Sequence, residues 1–168
     1  NNSVAIGYRA WGNGGSANDI GGAENVFIGS LSGNGTWVTG ASDGNTAVGY
    51  GTMAGAMNAA ANNTAMGKNA LAALTLGDNN TAIGQAAGVA ITTGGGNVTI
   101  GQAAGSATTD VDNTVIIGRD AGVADLTSGA DGTIAIGHSA LKALTSGSGN
   151  TAVGYRTLVT NIDGSYNT

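Results

Sequence analysis

An eleven-residue pattern recurs along this 168-residue chain and limits the folds that are open to it. The segment NTAVGYGTMAG at residues 45–55 returns as NTAMGKNALAA, NTAIGQAAGVA, NVTIGQAAGSA and NTAVGYRTLVT. A spacing of 17 residues is the commonest, and so short a period is typical of a solenoid whose coils stack on one another. The nine glycines shared by the copies are the structural repeat positions: Gly7, Gly29, Gly49, Gly67, Gly84, Gly101, Gly118, Gly137 and Gly154.

The residues before each repeat glycine predict a β-strand. Ile, Val or Met directly precedes the glycine in every copy, and Val, Ile or Thr lies three residues before it. This alternation favours one strand per copy. We interpret the Val, Ile and Thr positions as an interior wall and the residue between them, usually Ala, as a small opposite face. The predicted fold is an all-β parallel β-solenoid, or β-roll, of about nine to ten coils with a period of about 17 residues.

Two corners are predicted in each coil. Asn, which suits left-handed turns and can form hydrogen-bonded ladders between coils, opens six copies: Asn25, Asn45, Asn63, Asn80, Asn97 and Asn150. The second corner lies near Gly77, Gly94, Gly147 and Gly164, with a second short strand expected just before Asp78. Five leucines exceed what a narrow interior would hold, and we expect a second chain to cover them: Leu71, Leu74, Leu141, Leu144 and Leu158.

The repeats resemble those of known surface fibres. NSVAIGYRA at 2–10 and GTIAIGHSA at 132–140 are similar to the head repeats of trimeric autotransporter adhesins, and the NTAVGYxAL pattern resembles repeats of phage tail fibres. The resemblance covers nearly the whole chain and implies a left-handed homotrimer of β-rolls. The adhesin heads use shorter coils than the 17-residue spacing found here.

The charge and composition exclude several classes of function. Five Lys and Arg against ten Asp and Glu give a net charge of −5, which argues against nucleic acid and anionic membranes. No cysteine is present for disulfides or thiolate metal sites. His138 is the single histidine and occupies the variable position after a repeat glycine, so we interpret it as a surface residue. We predict no enzyme, because no paired carboxylates are patterned along the repeats.

Two patterns in the sequence suggest a ligand site, and each also has a purely structural explanation, as turn residues or as part of the coil wall. Asp110 and Asp112, with the turns SDGN at 42–45 and GDNN at 77–80, offer oxygen ligands for calcium, although Asp in turns commonly bonds its own backbone. Threonine recurs at one strand position, which suggests an ice-binding rank: Thr46, Thr64, Thr81 and Thr151. We predict no cofactor, and keep calcium as the one open possibility.

Residues 1–44 differ from the regular repeats at 45–168, although 1–168 form one domain. The first two glycine spacings are 22 and 20 residues, and the added segments hold Trp11 and Trp37 with Asp19 and Asp43 nearby. One hypothesis makes these loops a glycan-contact surface, because indole rings stack on sugars. The alternative is that each Trp covers the open side of an irregular coil.

The predicted function is that of a structural or adhesive segment, stalk or head, of an extracellular fibre on a cell surface or virion. Its expected partners are two further copies of itself and a surface glycan or receptor, with no nucleic acid and no membrane insertion. The final YNT begins another copy, so we expect a piece of a longer fibre. The alternative is a single-chain binding solenoid, either ice-binding or a calcium-dependent matrix protein.

Overall fold

The repeats form one parallel sheet. The computed structural model describes residues 2–12, 22–37 and 42–168. Its nine strands, which pair in chain order, are β1 (Val4–Ile6), β2 (Val26–Ile28), β3 (Thr46–Val48), β4 (Thr64–Met66), β5 (Thr81–Ile83), β6 (Val98–Ile100), β7 (Val115–Ile117), β8 (Ile134–Ile136) and β9 (Thr151–Val153). A single 3-10 turn at Ser128–Ala130 is the only helical element of the described residues.

The all-β parallel solenoid is therefore confirmed. The steps between strands average about 18 residues, because the first two coils are longer than the 17-residue repeat. The count of nine to ten coils, the left hand and the homotrimer stay predictions.

The repeat glycine follows each strand and is required by the closeness of the next coil. A Cβ built on Gly67 would lie 2.6 Å from the carbonyl oxygen of Gly84, and one on Gly84 would lie 2.7 Å from the carbonyl of Gly101. The φ angle of Gly67 is +127°, which residues with a Cβ rarely adopt. Steric exclusion by the next coil thus accounts for the glycine in the first eight copies, from Gly7 to Gly137.

The strands present the opposite face to the one predicted. From β2 to β9 the middle residue of each strand is buried inside the coil, for example Ala47, Ala65 and Ala82, whereas Ala5 in β1 of the first coil is exposed. The flanking residues point out: Ile6 is 58% exposed and Val153 is 63% exposed. The interpretation of the Val, Ile and Thr positions as an interior wall was wrong, because the narrow interior is filled by the middle residue of the strand together with side chains of the facing wall, so the residues on either side of it face outward.

That facing wall is made by the leucines. Leu71, Leu74, Leu141 and Leu144 are fully buried within the single chain, so the expectation that a second chain covers these four was wrong, while Leu158 in the last coil is partly buried against the same core. The second strand expected before Asp78 is also absent, since residues 71–77 form turns and Leu71 has a φ of +48°. Because Leu71 adopts the left-handed conformation, its long side chain is directed into the interior of the coil, where the strand contributes only the small side chain of Ala65.

The predicted asparagine ladder is confirmed along most of the chain. The Asn63 side-chain amide donates to Asn45 Oδ1 at 3.1 Å and to the Gly77 carbonyl at 2.9 Å, while Asn63 Oδ1 accepts from the Asn80 backbone N–H at 2.8 Å. Each buried amide therefore joins its own coil to the coils on both sides. The residue before it makes the left-handed corner, as in Asn62 with a φ of +58°.

The ladder is interrupted in the coils of β7 and β8, where Thr114 and Thr133 replace Asn. The Thr114 hydroxyl still donates to Asn97 Oδ1 at 2.7 Å. The buried Thr133 hydroxyl has no hydrogen-bond partner. The backbone pairing of β7 with β8 continues regardless, so the amide ladder reinforces the stack rather than defining it.

Candidate interaction surfaces

The outward face of the nine-stranded sheet is a regular surface that extends across all nine strands. Two columns run along it, one from the first residue of each strand and one from the last. The second column is aliphatic throughout: Ile6, Ile28, Val48, Met66, Ile83, Ile100, Ile117, Ile136 and Val153. With strands about 4.8 Å apart, the face is roughly 38 Å tall. Contiguous apolar surface on this scale marks an interaction site more often than a solvated wall.

The first column mixes threonine with Val and Ile. Thr46, Thr64 and Thr81 lie in register on successive strands, and Val98, Val115 and Ile134 continue the column. These threonines are partly or fully exposed, so their hydroxyl and methyl groups face the surroundings. The predicted threonine rank thus lies on the surface, where the sequence interpretation placed it inside.

A third column follows the repeat glycines and carries polar and aromatic side chains. Tyr155 is 72% exposed and stacks on His138, with 5.4 Å between the ring centroids. His138 Nε2 lies 4.0 Å from the Asp120 carboxylate, and Asp120 pairs with Arg119 at 3.1 Å. His138 is half-exposed, in agreement with its interpretation as a surface residue.

The two tryptophans pack into the first coils. Trp11 and Trp37 lie with ring centroids 6.0 Å apart, and both contact Phe27, at 6.1 Å and 5.6 Å. Trp37 also donates from Nε1 to the Gly33 carbonyl at 3.3 Å. This packing agrees with the covering role, in which the indoles close an irregular coil. The glycan-contact hypothesis stays a prediction, and Asp19 lies outside the described residues.

The aspartates near the corners serve the backbone. Asp43 Oδ1 accepts from the Ala23 N–H at 2.6 Å, Asp78 Oδ1 from the Ala61 N–H at 2.7 Å, and Asp112 Oδ1 from the Gly95 N–H at 2.7 Å. Each carboxylate therefore links its own coil to the one before it. Among the described residues, no group of three or more His, Cys, Asp or Glu side chains could hold a metal ion. Calcium at Asp110 and Asp112 stays a prediction.

No protein-family model, curated protein or solved structure matches this chain. In the part of the chain that the structure describes, no helix is long and apolar enough to cross a membrane.

The outward aliphatic face was not predicted from the sequence. The signal was present, because six of the nine middle residues are Ala: Ala5, Ala47, Ala65, Ala82, Ala135 and Ala152. A column of small residues beside buried leucines indicates the inner side of a narrow coil. The larger aliphatic residues on either side must then face outward.

Proposed function

We propose that this chain is a structural segment of an extracellular fibre, on a cell surface or a virion, in which three copies pack side by side through the outward faces of their sheets. The observation that carries the proposal is the aliphatic column of the sheet. Met66 is 49% exposed and Ile83 is 38% exposed within one chain. Full burial of an exposed aliphatic side chain is worth about 1.5–3 kcal/mol, and covering the part of these side chains that remains exposed is worth about half of that each, which gives a repeated driving force for association.

The repeated architecture also fits a mechanical role. Each coil contributes the same strand, glycine and corner, and each contacts only its neighbours, so length and stiffness grow with the number of coils. The leucines fill the interior of a single chain, which leaves the sheet face as the apolar surface available to other copies. Adhesion through the first coils, around Trp11 and Trp37, remains part of the proposal.

The decisive experiment is the mass of the native particle by sedimentation equilibrium. A particle three times the 16.0 kDa chain mass is expected, and a folded monomer at all concentrations contradicts the fibre proposal. Ile83→Lys places a charge in the aliphatic column and should dissociate the particle. Leu76→Lys is the matched control, because Leu76 is 50% exposed and lies outside the sheet face.

The outward threonine column favours a second candidate function, a single-chain ice-binding solenoid. Regularly spaced hydroxyl and methyl groups on a flat sheet offer a repeating surface to ordered water. A folded monomer that produces thermal hysteresis would support this candidate. The Thr64→Lys variant should then show less thermal hysteresis. The Leu76→Lys variant should retain it, because Leu76 lies on another side of the coil.

A further inference from the structure

The two edges of the outward sheet face carry opposite charge. All nine strands run the same way, so every strand begins at one edge of the face and ends at the other. The corner before the strands, which we name the acidic edge, carries five acids and no base: Glu24, Asp43, Asp78, Asp112 and Asp131. The corner after the repeat glycines, which we name the basic edge, carries four of the five Lys and Arg residues of the chain: Arg9, Lys68, Arg119 and Arg156.

Backbone hydrogen bonds show that both edges are true columns. At the acidic edge the Gly96 N–H donates to the Asp78 carbonyl at 2.9 Å, and the Gly132 N–H donates to the Asp112 carbonyl at 3.1 Å. At the basic edge the Ala86 N–H donates to the Lys68 carbonyl at 2.9 Å. Charges that are far apart in sequence are therefore stacked along the two sides of one apolar face.

The aspartates of the acidic edge bond the backbone of the preceding coil, but the coil does not require a carboxylate at this corner. Asp78 and Asp112 each accept a backbone N–H, yet Ala61, Gly95 and Ser148 occupy the same corner position in other coils. The basic edge includes one acid, Asp120, which pairs with Arg119 at 3.1 Å. Lys68 lies over the Tyr50 ring at 5.8 Å and leaves its charge at the surface.

Resting on the fibre proposed above, we infer that these edges fix the orientation of the copies: the rods associate in parallel, with the acidic edge of one chain against the basic edge of the next. Rotation about an axis along the rod brings the starts of the strands in one copy next to the ends of the strands in its neighbour. A two-fold axis across the rod would instead oppose like edges, and opposed like charges disfavour that arrangement.

The heights of the charges along the rod agree with parallel packing without an offset. Arg119 and Asp112 flank the same strand, β7. Lys68 flanks β4, between the strands flanked by Asp43 and Asp78, while Arg156 flanks β9, next to Asp131 at β8. Each base of one copy thus lies within one strand spacing of an acid on the next, about 4.8 Å.

Orientation can be measured with spin labels, because the chain contains no cysteine. Leu76→Cys and Ser146→Cys place labels at equivalent exposed positions of the β4 and β8 coils. In parallel rods both labels give the same distance between chains in pulsed EPR. In antiparallel rods related by a two-fold axis at the middle strand, β5, the two distances differ, because the axis lies one strand from the first site and three strands from the second.

The role of charge needs a matched pair of variants. Lys68→Glu should raise the dissociation constant about tenfold, since at each of the three contacts between copies a negative charge then faces the acidic edge of the neighbouring chain. Lys142→Glu makes the same change in net charge outside both edges and should shift it less than about twofold.

The possible failures can be told apart. A wild-type chain that remains at 16.0 kDa overturns the fibre proposal and this inference together. If the chain associates, but the two label distances differ or the two lysine variants behave alike, self-association stands and the parallel pairing of the edges is overturned.

Discussion

The coils of β2 and β4 fill the same cross-section in opposite ways. In the β4 coil the strand contributes Ala65 and the turn contributes Leu71, both buried. In the β2 coil the strand contributes Phe27, and Gly33 stands at the turn position, where an added Cβ would lie 2.6 Å from the phenyl ring. Large and small residues have exchanged walls. The contents of the interior are therefore interchangeable, provided that the total volume is kept.

The stacking devices, in contrast, are the same in both coils. Gly29 and Gly67 close the strands, and Asn25 and Asn63 occupy the ladder position. The comparison predicts that substitution of a repeat glycine lowers the stability of the fold most. Exchanges of core residues should be tolerated when a large and a small residue are swapped together, and the asparagine ladder should contribute least to the free energy of unfolding. All comparisons of stability require a fixed protein concentration, because association adds to the apparent stability.

The largest loss of stability is expected when a repeat glycine is replaced. Gly67→Ala would place a Cβ 2.6 Å from the Gly84 carbonyl oxygen, so backbone must move. We expect a loss of about 4 kcal/mol or more in the free energy of unfolding, measured by urea titration.

The control for this change is Gly132→Ala. Gly132 also has a positive φ, +68°, but no atom lies within 4 Å of an added Cβ. Only the left-handed strain of about 1–2 kcal/mol should remain. Equal losses in the two variants would show that φ, rather than contact with the next coil, fixes the repeat glycine.

The second prediction tests whether a large residue on the strand and one on the turn can replace each other. Gly33→Leu puts two large side chains into the β2 coil and should cost about 4 kcal/mol through overpacking and the left-handed φ of +62°. Phe27→Ala together with Gly33→Leu recreates the arrangement of the β4 coil and should recover much of this loss. Additive losses in the double variant would contradict the exchange, since residues that share one space must couple.

A somewhat smaller loss is expected from emptying the turn wall. Leu71→Ala removes a fully buried side chain opposite Ala65, and the free energy of unfolding should fall by about 3 kcal/mol. Leu76→Ala in the same turn removes a side chain that is 50% exposed and should change stability by less than about 0.5 kcal/mol. Calorimetry of the two variants at one concentration separates a core leucine from a surface one.

The sequence predicted the features that depend on period and steric exclusion. Strands, repeat glycines and asparagine corners each recur at one position, and a recurring position in a stack must meet its own copy in the next coil. The alternation within a strand shows which residues share a face but not which face is inside, and their hydrophobicity led us to place the wrong set of residues in the interior. Val48 and Met66 look like core residues until Met53 and Leu71 are known to fill the coil from the other wall.

The candidate surface was missed for the same reason, since assigning the aliphatic residues to the interior left nothing apolar outside. The contacts of the first coils could not be predicted either, because Trp11, Phe27 and Trp37 come from three separate segments. Their spacing follows no period, and only the fold brings the three rings together.

The smallest effect, and the one gain, is expected where the ladder is interrupted. Thr133 leaves its buried hydroxyl unpartnered, whereas Asn63 at the same position of the β4 coil accepts from the backbone N–H of Asn80. Thr133→Asn supplies the equivalent acceptor for the Asn150 N–H and should raise the free energy of unfolding by about 1 kcal/mol. Thr133→Val removes the hydroxyl without extending the ladder and should change stability by less than about 0.5 kcal/mol. If Thr133→Val stabilises the chain as much as Thr133→Asn, relief of the unpartnered hydroxyl rather than ladder bonding explains the gain. The asparagines of the other coils would then contribute mainly by satisfying their own buried corners.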